Sequence, residues 1–187
     1  SEFESAKEST LNAHYTPLGI VQAIWTALAN AGFTGGRILD PASGPGYFIG
    51  AMPEEIARRS SVLCVELEPT TARIAKALYE PHAKVLNMGF EAAQIPDNYF
   101  DLVVSNFPFG RYQVACHRRK PYSNWSIHNW FVGRTLDVVR PGGVVAFITS
   151  SWFMDSDSDK VRAVVARKAK LVAAYRLPQG ALQGTAN

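Results

Sequence analysis

The sequence predicts an α/β fold, a three-layer sandwich around a mostly parallel sheet. Three observations predict it. Strand-like and helix-like segments alternate along 187 residues, enough chain for one domain with its own core. The strand-like runs are continuously apolar, as strands are when both faces are covered. Polar residues Asp40, Glu66 and Asn106 each stand where such a run ends, and ligands in sheets of this kind bind beyond the carboxyl ends of the strands.

Each element has its own signal. In residues 16–33, Val21, Ile24, Trp25, Leu28 and Ala31 recur at helical spacing, with Pro17 at the entry and Gly32 at the close. Residues 36–40, GRILD, form a first strand, and a glycine-rich turn leads to a helical segment over 47–58 that Pro53 interrupts. A second strand is SVLCVE, 61–66, followed by a helix over 69–79 with Pro69 in its first turn. AKVLN, 83–87, and FDLVVS, 100–105, are the third and fourth strands. A helix over 127–140 stops at Pro141 and Gly142, and a fifth strand covers 144–150. A helix over 157–169 takes Ser156 or Asp157 as its cap. LVAAYRL, 171–177, is the sixth strand. Residues 1–187 are expected to form a single domain, with 1–35 an N-terminal helical segment and 36–187 the α/β core.

Composition excludes several classes. Hydrophobic residues are 47% and charged residues 19%, which is globular rather than disordered. No apolar run approaches the roughly 20 residues of a membrane helix, and the polar start SEFESAKEST is no signal peptide. Cys64 and Cys116 are the only cysteines, too few for a zinc site or a disulfide framework, and the setting is expected to be cytoplasmic. His14, His82, His117 and His128 are scattered, so no metal site is expected. The chain opens at Ser1 and is expected to be a piece of a longer protein.

Net charge is only +3, but Arg111, Arg118, Arg119 and Lys120 crowd the segment directly after the NFPFG run. That position suits phosphate contact. A second basic set, from Lys160 to Arg176, reads as a solvated helix face.

Two stretches carry chemistry. LDPASGPGYF follows the first strand and holds Gly44 and Gly46 as a G-x-G. A pyrophosphate-binding loop places its first glycine right after the strand. Here Asp40 comes first, and a carboxylate there repels pyrophosphate and suits a cationic or zwitterionic ligand. Glu66 ends the next strand, the place where an acidic residue holds ribose hydroxyls. The second stretch, SNFPFG, puts an amide, a proline and two aromatic rings at the mouth of the fourth strand.

LDPASGPGYF, CVELEP and NFPF, in that order, resemble the glycine loop, the acidic strand end and the N-P-P-F/Y motif of class I S-adenosylmethionine-dependent methyltransferases that modify adenine N6 in DNA. LNAHYTP resembles the cofactor motif that precedes the glycine loop in that subgroup. STLNAHYT, GVVAFITS and RLPQGAL resemble the methylase region of large helicase–methylase fusion proteins of phages and mobile elements. The resemblance implies a Rossmann-like class I fold without its last strand. It implies S-adenosylmethionine as cofactor, DNA as partner, and further domains of a larger parent protein. By resemblance, Asp40, Ala42, Gly44 and Gly46 form the methionine pocket, and Tyr15 and Thr16 close over it. Glu66 holds the ribose, while Leu67 and Phe90 flank the cofactor adenine. Asn106, Phe107, Pro108 and Phe109 form the reaction site. The sequence departs from the pattern at Phe107, where the family has proline, and at Gly89, where a carboxylate often meets the cofactor adenine. Leu182 stands where the family often has an aromatic residue.

An exocyclic adenine amine is a poor nucleophile because its lone pair is delocalised into the ring. Acceptors aimed at its protons, the Asn106 oxygen and the Phe107 carbonyl, favour a tetrahedral nitrogen and stabilise its developing charge. Phe109 offers a face for the unstacked base. Two alternatives stay open. One is an amine acceptor on an RNA base or a protein glutamine. The other is a decayed methylase fold serving as a DNA-binding or assembly module.

Overall fold

Apolar runs of four to seven residues make the central strands, and their side chains alternate between two cores. The computed structural model describes residues 16–110, 113–114 and 122–182. Its five strands are β1 (Arg37–Asp40), β2 (Ser61–Glu66), β3 (Ala83–Asn87), β4 (Phe100–Asn106) and β5 (Val139–Ile148). They form one sheet in the order β3-β2-β1-β4-β5, and every pairing is parallel. Ile38, Leu102 and Val104 face one side of the sheet, where Val21, Trp25, Leu28 and Phe48 cover them. Leu39, Val65 and Val103 face the other, under Trp130, Phe131 and Val132. These are the three layers the sequence predicts.

Helix α1 (Leu18–Asn30) buries Val21, Trp25 and Leu28, one stripe at i, i+4 and i+7. The Trp25 indole N–H donates to the Phe48 carbonyl at 2.9 Å, tying α1 to the segment after the glycine loop. That segment is two single turns, α2 (Tyr47–Gly50) and α3 (Glu54–Ala57), separated at Pro53 as expected. Helix α4 (Pro69–Tyr79) has Pro69 in its first turn, and the Glu68 carboxylate accepts from the amides of Thr70 and Thr71. Helix α5 (Ile127–Val138) is buried on nearly every side. No helix among the described residues is long and apolar enough to cross a membrane.

Three expectations need correction. The helix over 127–140 ends at Val138, and the fifth strand begins at Val139 rather than Val144. Pro141 and Gly142 fall inside that strand, next to a register irregularity opposite Phe100 and Leu102, a place where a missing amide donor is tolerated. After a short turn α6 (Trp152–Asp155), helix α7 (Lys160–Lys168) starts from Asp159, not from Ser156 or Asp157, and no side chain caps it. The sixth strand does not form. Residues 171–177 belong to no ladder, and Leu171, Val172 and Tyr175 are exposed, the last two at 87% and 83%. Beta propensity is there, but a strand needs a partner's backbone, and among the described residues none pairs with it.

Candidate active site

The strand order puts the carboxyl ends of β2, β1 and β4 side by side, so Glu66, Asp40 and Asn106 line one edge of the sheet. Asp40 is only 2% exposed. Its Oδ1 accepts from the Ser105 hydroxyl at 2.6 Å and from the Ala42 amide at 3.3 Å. Its Oδ2 is buried with no hydrogen-bond partner among the described residues. Burial pushes its pKa up from 3.8 to about 7; the bonds from Ser105 and Ala42 lower it and the Glu66 charge raises it. Cys64, fully buried one strand over, has its thiol pushed up first by burial and then by Asp40.

The glycine loop is pinned to β2. The Ser43 amide donates to the Val65 carbonyl at 3.0 Å, and the Gly44 amide donates to Glu66 Oε2 at 2.8 Å. Glu66 Oε1 accepts from the Glu68 amide at 2.8 Å. Burial raises the Glu66 carboxyl, while the amides of Glu68 and Gly44 pull it down. Each carboxylate oxygen has further acceptor capacity beyond its one amide. The Asn87 side chain donates to the carbonyls of Glu66 and Leu67, both at 3.0 Å, and so fixes the end of β2. Gly44 has φ +54 and an added Cβ there meets nothing within 4 Å. Gly46 has φ +95, and its Cβ would lie 2.3 Å from the Tyr79 ring. One glycine leaves open space; the other admits a tyrosine against the loop.

At the end of β4, Asn106 carries a buried side-chain oxygen. The next residue, Phe107, donates its amide to the Ile148 carbonyl at 3.0 Å. Its ring is 1% exposed and stacks on Phe147, with centroids 4.9 Å apart and planes 13° apart; Phe131 lies at 5.4 Å on a tilted contact. A proline in this place holds the turn through its fixed φ; Phe107 holds it through aromatic packing. Pro108 and Phe109 are half-buried.

Of the other expected site residues, Thr16 is buried and Ala42 is half-buried. Leu67 is well exposed. Phe90 is buried against Trp130 at 5.6 Å and Phe131 at 5.4 Å, so its ring is part of the core wall. Tyr15, Arg111, Arg118, Arg119 and Lys120 lie outside the described residues. No group of metal-binding side chains occurs among the described residues.

Two residues escaped sequence reasoning. Tyr79 packs on both Gly46 and Gly50, whose Cβ atoms would lie 2.3 and 2.5 Å from it; the glycine at 50 was the available signal. Glu91 is the other. A Cβ on Gly89 would lie 2.0 Å from one Glu91 carboxylate oxygen and 2.5 Å from the other. The Glu91 carboxylate therefore occupies the space that a side chain at position 89 would enter.

Residues 38–143 match the family model for the methyltransferase domain, more than half of the chain. Defense against restriction protein B of Escherichia phage P1 is 30% identical over 91% of this chain and 8% of its own length. A Type II methyltransferase of Thermus thermophilus is 26% identical over 91% of this chain and 42% of its own. The chain thus spans less than half of each of these relatives. A Listeria monocytogenes structure described as a class I S-adenosylmethionine-dependent methyltransferase superposes with a TM-score of 0.66 at 20% identity, over 81% of this chain and 51% of that one. A modification subunit of a type I restriction enzyme from Vibrio vulnificus superposes at 0.62 and 15% identity, over 82% and 37%. The chain belongs to the methyltransferase domain family and has the fold of the class I S-adenosylmethionine-dependent enzymes.

Proposed function

We propose that the chain transfers a methyl group from S-adenosylmethionine to the exocyclic N6 amine of adenine in DNA, as the catalytic part of a longer protein whose other domains read the DNA sequence. The observation that carries this reading is Asn106 at the carboxyl end of β4, one strand from Asp40, with Phe107 locked behind it. The relatives named for restriction and modification support DNA as the acceptor.

The cleft residues fit the cofactor. The partnerless Asp40 Oδ2 suits a cationic end, the open space over Gly44 admits a ligand against backbone, and the spare acceptor capacity of Glu66 suits two ribose hydroxyls. The strand order continues past β2 to β3. We infer that Glu91, just beyond β3, accepts from the cofactor's adenine amine and that Leu67 and Phe90 flank that ring. When bound, the cofactor supplies a methyl group activated by its sulfonium.

The protein's part is positioning and charge. The Asn106 oxygen and the Phe107 carbonyl accept hydrogen bonds from the two amine N–H groups and turn the nitrogen lone pair toward the methyl group. Phe109 stacks on the target base. Holding nucleophile and methyl in line supplies much of the rate, and duplex DNA must first release the base from its stack. With cofactor bound, the nitrogen would gain the methyl group as the methyl–sulfur bond breaks, and the resulting cationic nitrogen is acidic enough to release one proton to water without a strong base.

Substituting Asn106 by Ala tests this. The variant is expected to bind S-adenosylmethionine as the parent does and to lose methyl transfer to DNA by about a hundredfold or more, the usual cost of removing one such polar group. Equal turnover would sink the amine-orienting role.

A further inference from the structure

We propose that Ser105 is a positioning residue for the cofactor: its hydroxyl holds one oxygen of Asp40, so that the other stays available to the cationic end of S-adenosylmethionine. This rests on the cofactor pocket read above and deepens it.

β1 ends at Asp40, while β4 runs on to Asn106. The two strands are in register at Ile38 with Leu102 and at Leu39 with Val103. Ser105 lies two residues past the second of these pairs, where β4 is in register with β5 through Phe147. Here a side-chain bond spans β1 and β4. The Ser105 hydroxyl donates to Asp40 Oδ1 at 2.6 Å, and the two residues are 0% and 2% exposed. Alanine would continue the apolar run of β4 with no polar group to satisfy, so packing does not call for a hydroxyl at this position. Ser105 also directly precedes Asn106. One short piece of β4 therefore sets the cofactor carboxylate and carries the amine-orienting amide.

The bond divides the work of the two Asp40 oxygens. Oδ1 accepts from Ser105 and, at 3.3 Å, from the Ala42 amide. Oδ2 is buried with no partner among the described residues. A proton on this carboxyl sits on Oδ2, because Oδ1 already faces two donors. The ammonium group of the cofactor's amino-acid end competes for that same oxygen. As it binds, the Oδ2–H bond breaks, the proton leaves to the buffer, and a charge pair remains. Ser105 favours the exchange by stabilising the ionised carboxyl, against burial and the charge of Glu66. The titratable groups acting on Asp40 come from β2. They are Glu66, and Cys64 in register with Asp40, whose thiol burial keeps neutral. β4 and the glycine loop contribute Ser105 and Ala42, neither of which titrates.

The test is calorimetric titration of the whole chain with S-adenosylmethionine from pH 6 to pH 8.5. Loss of one hydrogen bond to the charged form should move the ionisation of Asp40 up by about one pH unit. Ser105→Ala is then expected to bind about five- to tenfold more weakly than the parent at pH 6 to 7, and within about twofold of it at pH 8.5. It should also release more protons on binding near pH 7. Binding at pH 8.5 shows that the variant is folded. In the Asp40→Asn background, adding Ser105→Ala should leave the ratio of affinities constant across pH, because no carboxyl remains there to titrate. A loss of equal size at every pH in Ser105→Ala, or no loss, overturns the positioning role and leaves the pocket standing. If Asp40→Asn binds S-adenosylmethionine as tightly as the parent, Asp40 is not part of the pocket, and the role of Ser105 falls with it.

Discussion

Replacing Asp40 by Asn isolates the cost of a buried carboxylate. Asp40 ionises at about 7 in the fold and near 3.8 when unfolded, chiefly because burial disfavours its charge. The folded chain therefore takes up a proton as pH falls through 7, while the unfolded chain waits until pH 3.8. Folding gains stability over that interval on going down in pH and loses it on going up. A difference of roughly three pH units at 1.36 kcal/mol each gives about 4 kcal/mol at most. Asn keeps an oxygen for the Ser105 and Ala42 donors. Its amide group, standing at the partnerless Oδ2 position, gives back about 1 kcal/mol. The net expectation is about 3 kcal/mol of added stability at pH 8, or about 10 °C in Tm for a chain of this length. The assay is thermal melting of parent and variant, without cofactor, from pH 4 to pH 8. The two curves should converge at the acid end, separate between about pH 4 and pH 7, and run parallel above pH 7. Parallel curves across the range would refute the buried-charge account. The gain in stability should come with a loss of at least tenfold in S-adenosylmethionine affinity. Near neutral pH, cofactor binding to the parent should release a proton, seen as a binding heat that depends on the buffer; the variant should show no such dependence.

Three other substitutions test neighbouring points. Phe109→Ala should raise the KM for DNA about tenfold while Phe109→Tyr changes it little in methyl-transfer assays; an inactive Tyr variant would contradict a stacking role. Glu91→Gln should weaken S-adenosylmethionine binding several-fold with no change in DNA affinity, since a neutral amide is a poorer acceptor for the base amine; titration calorimetry with unchanged affinity would remove Glu91 from the pocket. Gly46→Ala forces an L-residue to φ +95 and into the Tyr79 ring, and should destabilise the fold by about 2–3 kcal/mol. Adding Tyr79→Ala should recover only the steric part, and a single variant that melts like the parent would show that the loop does not need glycine.

Local signals made much of this fold legible. The strands at 61–66 and 83–87 have the bounds the sequence predicts, because uninterrupted apolar runs between turn residues leave little choice. The three polar strand ends do share one edge of the sheet. Where the sequence misled, the cause was nonlocal. LVAAYRL has the composition of a strand and no ladder to join. Val139 looks like the last turn of a helix, but pairing with Phe100 makes it sheet. Glu91 was not legible because the resemblance expects a carboxylate at position 89 itself, and only the fold sets the Glu91 side chain in the space beside Gly89. Tyr79 reads as the end of an amphipathic helix; only the packing of α4 against the glycine loop reveals its second task.

The uncovered run over 171–177 has a consequence for handling the protein. β5 is an edge of the sheet among the described residues and carries Val144 partly in solvent. An extended apolar segment and an open strand edge on one chain are complementary surfaces for two chains, the usual route to edge-to-edge aggregation. Lys170 precedes the segment as an exposed cation, and its repulsion between copies opposes that pairing. Salt weakens the repulsion and leaves the apolar attraction intact. Turbidity of concentrated stocks should accordingly rise with ionic strength, and storage at low salt should keep the chains apart.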